Sequence, residues 1–274
     1  MTGRDAVTSA DGTTIGYDVY GSGPGIVLLP GALHAGHHYR ALAGHLADAY
    51  TVYAVDRRGR PGSGPQRPDH GIEAECADVI AVLERTGATQ VFGHSSGGVV
   101  ALQTALRHPI AKVAVYDPPV SVNGSIPIDF LPGYERAVAE GRNTDAVAIL
   151  MKHMRIGGPV DRIPLVVLKR LLRFASRRAG PDIRELLDAA GTFPAEHRMI
   201  VGLDPVADKY REIEAETLVQ LGGRSPEYLA RAARFLADVV PRARLMVFPD
   251  LDHNAPDESA PDRVATALRE FFAP

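Results

Sequence analysis

Val91-Phe92-Gly93-His94-Ser95-Ser96-Gly97-Gly98 is the stretch on which the reading of this chain turns. The apolar run before it, Gln90-Val-Phe, predicts a strand, and Ser96–Arg107 has helical period and stops before Pro109. Between the two, the chain must turn sharply at Ser95. Glycine two residues before and two after such a turn lets strand and helix pass where a β-carbon would collide. A G-x-S-x-G pattern set between strand and helix therefore predicts a nucleophile elbow, with the serine hydroxyl exposed at the turn. Ser95 fits and Ser96 does not, because the residue two before Ser96 is the bulky His94. The start of the helix also places partial positive charge beneath an oxyanion forming at Ser95. A plain strand-to-helix turn with a serine N-cap uses the same residues, so the rest of the chain has to decide.

Outward from the elbow, short apolar strands alternate with helices. Upstream, Val7–Ser9 and Thr14–Tyr20 flank the turn dipeptide Asp11-Gly12 and predict a hairpin. Ile26–Leu29 and Tyr50–Val55 read as strands, and Tyr39–Ala49 and Ile72–Arg85 as helices. Downstream, Lys112–Tyr116 reads as a strand ending at Asp117-Pro118-Pro119. From Pro119 to about Val206 there is helical period and no convincing strand. The alternation resumes with the strand Thr217–Leu221, the helix Tyr228–Val239, the strand Arg244–Phe248 and the helix Pro261–Phe272. Strands apolar on both faces and separated by helices predict an α/β fold, a mostly parallel, doubly wound sheet. The expected organisation is a core of residues 1–118 and 207–274 with a helical cap insertion at 119–206. In that insertion, Leu165, Leu168, Leu171, Leu172 and Phe174 fall on one stripe of a predicted helix, ringed by Arg162, Lys169, Arg170, Arg173, Arg177 and Arg178.

With these motifs in place, the chain resembles the α/β-hydrolase superfamily, in particular its small, esterase-like serine hydrolases. Leu28-Leu29-Pro30-Gly31-Ala32 resembles the oxyanion strand and loop, with Pro30 where His is usual. Asp56-Arg57-Arg58-Gly59-Arg60 with Ser63 resembles the next loop, and Phe248-Pro249-Asp250-Leu251-Asp252-His253 the histidine loop. The resemblance covers roughly residues 10–120 and 207–272. It implies an oxyanion hole made by the N–H of Ser96 and that of Ala32, or of Leu33 if the loop is shifted by one. It also brings Leu33 and His34, just after that loop, and the elbow residue His94 near substrate.

A serine hydroxyl needs a base to become a nucleophile. His253 follows a strand, lies in a loop and precedes the last helix, and is the candidate. His94 is expected to point away from that base. The cluster His34, His37, His38 has no companion cysteine and no metal-site spacing, so a pocket rim is expected and no metal. For the acid, the resemblance points first to the loop after Leu221, which reads Gly222-Gly223-Arg224-Ser225-Pro226 and has arginine at the expected position. Asp117, which ends the strand after the elbow helix, ranks first instead. Pro118 biases it toward an extended backbone. Asp250 ranks second and Glu227 third.

Bulk properties bound the function. The 274 residues carry a formal net charge of −3, which argues against nucleic acid as the main partner. The single cysteine, Cys76, forbids an intrachain disulfide and reads as a small core residue. No apolar run reaches the length of a membrane span, and the N-terminus has no apolar leader segment, so a cytoplasmic enzyme without membrane contact is expected. The expected partner is a small-molecule substrate and no cofactor is expected. The oligomeric state is not written in the sequence. The leading expectation is hydrolysis of a carboxylester, thioester or lactone. The alternatives are a cofactor-free lyase or oxygenase, an acyltransferase, and a non-catalytic small-molecule binder.

Overall fold

The computed structural model describes residues 3–156, 160 and 162–273. The predicted core and insertion ranges also run over residues 1–2, 157–159, 161 and 274, which lie outside the described residues. One eight-stranded sheet organises the chain, in the order β1-β2-β4-β3-β5-β6-β7-β8. β1 (Gly3–Thr8) and β2 (Thr14–Tyr20) form the hairpin predicted around Asp11-Gly12, with Gly12 in the left-handed region at φ +84°. β2 also pairs antiparallel with β4 (Thr51–Val55). β3 (Gly25–Leu29), β5 (Gln90–His94), β6 (Lys112–Tyr116), β7 (Glu216–Gly222) and β8 (Ala243–Phe248) continue the sheet in parallel.

Alternate residues of β3 show why helices cover both faces. Val27 and Leu29 pack in the cluster that holds α2 (Ile72–Thr86), α3 (Ser96–Ala105) and α9 (Glu227–Val239). Ile26 and Leu28 pack in the opposite cluster, with α1 (Arg40–Leu46) and α10 (Pro261–Phe272). All four β3 side chains are fully buried, so the strand has no polar alternation to show.

Between β6 and β7 the regular elements among the described residues are helical. They are α4 (Leu131–Ala139), α5 (Asn143–Met154), α6 (Leu165–Ser176), α7 (Pro181–Asp188) and α8 (Phe193–Gly202), with shorter turns between them. They have an apolar cluster of their own around Phe130, Tyr134, Ile149 and Phe193, into which Leu33 of the core inserts. Charge ties this layer down as well. Glu196 of α8 accepts from Arg60 Nη1 at 2.7 Å and forms an ion pair with Arg57 Nη1 at 3.0 Å. Arg57 also binds Glu75 at 2.7 Å and donates to Ser96 Oγ at 2.8 Å. All four charged groups are buried.

The stripe expected on α6 is only half right. Leu168 is buried and Leu172 faces a cavity, but Leu171 and Phe174 are 51% and 61% exposed. Period fixes which side chains share a face. It does not say how wide a partner that face meets. Among the described residues, no helix is long and apolar enough to cross a membrane.

Candidate active site

The elbow forms for steric reasons. A β-carbon on Gly93 would stand 2.4 Å from the Gly97 carbonyl oxygen, and one on Gly97 would stand 2.3 Å from that of Leu29. Strand β5 and helix α3 can therefore approach only with glycine at both positions. Ser95 between them has φ +51° and ψ −125°, and its N–H donates to the Tyr116 carbonyl at 2.9 Å. A non-glycine residue held there costs about 1–3 kcal/mol, which the surrounding packing must supply.

At that turn three side chains line up. His253 Nε2 lies 3.1 Å from Ser95 Oγ, and His253 Nδ1 lies 3.2 Å from Asp117 Oδ2. Asp117 is completely buried. Its backbone is not extended, as Pro118 suggested, but left-handed at φ +48°. Hydrogen bonds over-rule the local bias. Asp117 N–H donates to the Gln220 carbonyl at 3.0 Å, Gly222 N–H donates to Oδ1 at 3.0 Å, and the Ser225 hydroxyl donates to Oδ2 at 2.5 Å. The loop with arginine in the expected acid position thus supplies donors to an acid that stands on the neighbouring strand. The two lower-ranked acids are engaged elsewhere, Asp250 with Arg263 at 2.5 Å and Glu227 with Arg234 at 3.1 Å.

His94 does not point away from His253, as the sequence suggested it would. Its ring lies 4.8 Å from that of His253, and both its nitrogens are bonded within the chain. The Gly31 N–H donates to the Tyr39 hydroxyl at 3.0 Å, which donates to His94 Nδ1 at 2.5 Å. His94 Nε2–H in turn donates to the His253 carbonyl at 2.8 Å. Burial, with the nearby His253, pushes His94 down to about 3 and keeps it neutral. His94 is 3% exposed and both its nitrogens are occupied, so it braces the Gly31 loop against the His253 loop while it also lines the cavity over Ser95.

His34 is held by the Ala32 carbonyl at Nδ1 (2.9 Å) and by Asp257 at Nε2 (3.0 Å). Burial works against charge on both, but their mutual attraction prevails. His34 is raised and Asp257 is held at about 2, so the two form an ion pair beside the Ala32 loop.

The sequence profile of the alpha/beta hydrolase family matches residues 26–267. The chain belongs to that family. The solved structure of an alpha/beta hydrolase from Sphaerobacter thermophilus DSM 20745 is 34% identical, covers 98% of this hydrolase and 100% of its own chain, and superposes with a TM-score of 0.81. The uncharacterized hydrolase YraK of Bacillus subtilis (strain 168) is 35% identical over 113 residues, 40% of this chain and 42% of its own. The 2-heptyl-3-hydroxy-4-quinolone dioxygenase AqdC2 of Rhodococcus erythropolis is 33% identical over 184 residues, 65% of this chain and 66% of its own. The hydrolase thus spans less than half of YraK and just under two thirds of AqdC2.

A cavity of about 610 Å³ opens over Ser95 in the hydrolase. Gly31, Ala32, Leu33, His34 and His253 form its floor, and Leu150, Met154, Leu172, Ile183 and Leu187 of the helical layer line its roof. Gly31 presses against Ser95, since a β-carbon there would lie 3.2 Å from Ser95 Cβ. Ala32 and Leu33 follow directly, Leu33 with φ +67°. Sequence reasoning missed Tyr39, Ser225 and Asp257. Only Asp257 left a signal, because it lies four residues after His253, in the short helical turn Ala255–Ser259 that follows it. Cys76 is a core residue whose buried thiol is pushed up to about 12.

Proposed function

We propose that this hydrolase cleaves an ester-like bond (carboxylester, thioester or lactone) of a small molecule with an apolar acyl part, through an acyl-enzyme on Ser95. The reading is carried by the row Ser95–His253–Asp117 opening into an apolar cavity. His253 Nε2 takes the Ser95 proton as Oγ attacks the carbonyl carbon. Asp117 accepts the Nδ1–H, which fixes the tautomer and stabilises the imidazolium. The N–H groups of Ala32 and Ser96 form the oxyanion hole for the tetrahedral intermediate. His253 returns the proton to the leaving group, and then activates a water that releases the acid. The helices between β6 and β7 serve as a cap that shelters the acyl chain. One cysteine suits a cytoplasmic setting.

A second reading, a cofactor-free oxygenase, is favoured by the 33% identity with a quinolone dioxygenase. In that reading His253 is a base toward a ring substrate and Ser95 forms no covalent intermediate. Stopped-flow mixing with p-nitrophenyl butyrate separates the two. The ester reading expects a burst of one p-nitrophenolate per chain, then slower turnover, and labelling of Ser95 by a fluorophosphonate. Both should vanish in Ser95→Ala. Undiminished ester turnover in that variant would refute the acyl-enzyme.

A further inference from the structure

A second group of chemically able side chains lies at the seam between core and cap. His37 and His38 sit in the short turn Gly36–Tyr39 that follows the Ala32 loop, and Glu185 sits on α7. Each offers one donor atom, and the three atoms lie within 4.8 Å of one another. His37 Nε2 is 3.6 Å from Glu185 Oε1. For comparison, ligands bound at 2.0–2.1 Å in a tetrahedral zinc site stand about 3.3–3.4 Å apart. A modest rotation of the His38 or Glu185 side chain would close the remaining gap.

Two of these donors lack a well-formed hydrogen bond, although the Asp182 backbone stands near His38 and favours its charged form. His38 Nε2 and Glu185 Oε1 are buried and make no hydrogen bond among the described residues. Buried polar atoms are seldom left so, and each exception calls for a partner. The other nitrogen of His38, Nδ1, faces the Ala35 backbone, whose N–H lies at 3.0 Å and whose carbonyl lies at 3.3 Å; with a metal on Nε2, Nδ1 carries the proton and donates it to that carbonyl. Such a backbone contact orients a metal-binding imidazole. A fourth group stands near, since Asp182 Oδ1 is 4.0 Å from His37 Nε2. Two imidazoles and a carboxylate suit zinc and similar transition ions, whereas calcium and magnesium want all-oxygen sites.

We propose that His37, His38 and Glu185 bind one divalent transition-metal ion of the zinc type, which clamps α7 of the cap to the core. The placement gives the ion leverage. Ile183, Leu186 and Leu187, on the same helix as Glu185, line the cavity over Ser95. Sequence spacing hid the site because its carboxylate comes from the insertion.

The test uses the full chain and zinc chloride, with binding read by calorimetry and α7 by hydrogen exchange, so no substrate is needed. Expected are one saturable site per chain and slowed exchange across residues 181–188. Glu185→Gln and His37→Gln should each weaken binding by at least ~10-fold, and their metal-free circular dichroism should match wild type. The Ser95 pocket also holds histidines, so His253→Ala serves as the control and should bind zinc as wild type does. No saturable binding in wild type overturns the proposal. So does full binding in Glu185→Gln, or loss of binding in a folded His253→Ala. Binding without slower exchange in α7 overturns the clamp.

Discussion

At the scale of single residues, the proposed acyl-enzyme chemistry rests on Asp117. It alone of the three candidate acids reaches Nδ1, and it enters that position already holding donors from Gly222 and Ser225. Asp117→Asn should keep the fold but present an amide where the imidazole N–H needs an acceptor. A loss in kcat of up to ~10⁴ is expected, as for a histidine trapped in the wrong tautomer. Asp250→Asn and Glu227→Gln, each of which removes only a surface ion pair, should stay within a few fold. If Asp117→Asn turns over a verified ester at near the wild-type rate, the assignment is wrong. That Ser95, His253 and Asp117 would meet was legible because Ser95 and Asp117 directly follow predicted apolar strands, His253 lies in the loop after another, and such strand ends gather at one edge of a parallel sheet. The residues that steady them were not legible. Tyr39 reaches His94 across 55 residues and Ser225 reaches Asp117 across 108, and no local pattern marks such pairings.

At the scale of elements, α8 shows how the insertion is attached. Glu196 is buried against Arg57 and Arg60, and although burial alone would raise its pKa, the two guanidinium groups lower it. A carboxylate lowered in the folded state adds stability above its unfolded pKa of about 4.3. That contribution is lost as pH falls through the folded value. Glu196→Gln should therefore cost about 3 kcal/mol near pH 7, where it strands buried guanidinium charge. The gap between variant and wild type should shrink as pH drops below about 4.3. Urea unfolding between pH 3.5 and 7 measures both, and a gap independent of pH would contradict the account. Elements were the most legible scale. Strands β3 to β8 and helices α2, α9 and α10 match their predicted ranges within two residues at each end. β1 starts four residues before the predicted Val7 and α1 stops three before the predicted Ala49, and the stripe on α6 misled because it meets a cavity on one side and solvent on the other, a difference to which hydrophobic period is blind.

At the scale of the molecule, the cavity is a space between two bodies, a sheet edge below and a helical layer above. Neither half encloses it alone, and the sequence, which showed both halves, did not show the space. Its apolar roof predicts a preference. Each methylene buried there contributes about 0.8 kcal/mol, or roughly fourfold in kcat/KM. p-Nitrophenyl esters should accordingly improve from acetate to hexanoate, and Met151→Trp, which fills the roof, should flatten that rise while sparing acetate. A flat series in the wild type would mean that the acyl chain lies elsewhere. The way in follows from the charges beneath α8. To lift α8 off the core would part Glu196 from both arginines in a dry setting, whereas α7 has no fully buried side chain to give up. Of these two helices α7 is therefore the one that parts from the core at lower cost, and whatever holds it down sets how readily the cavity opens on that side.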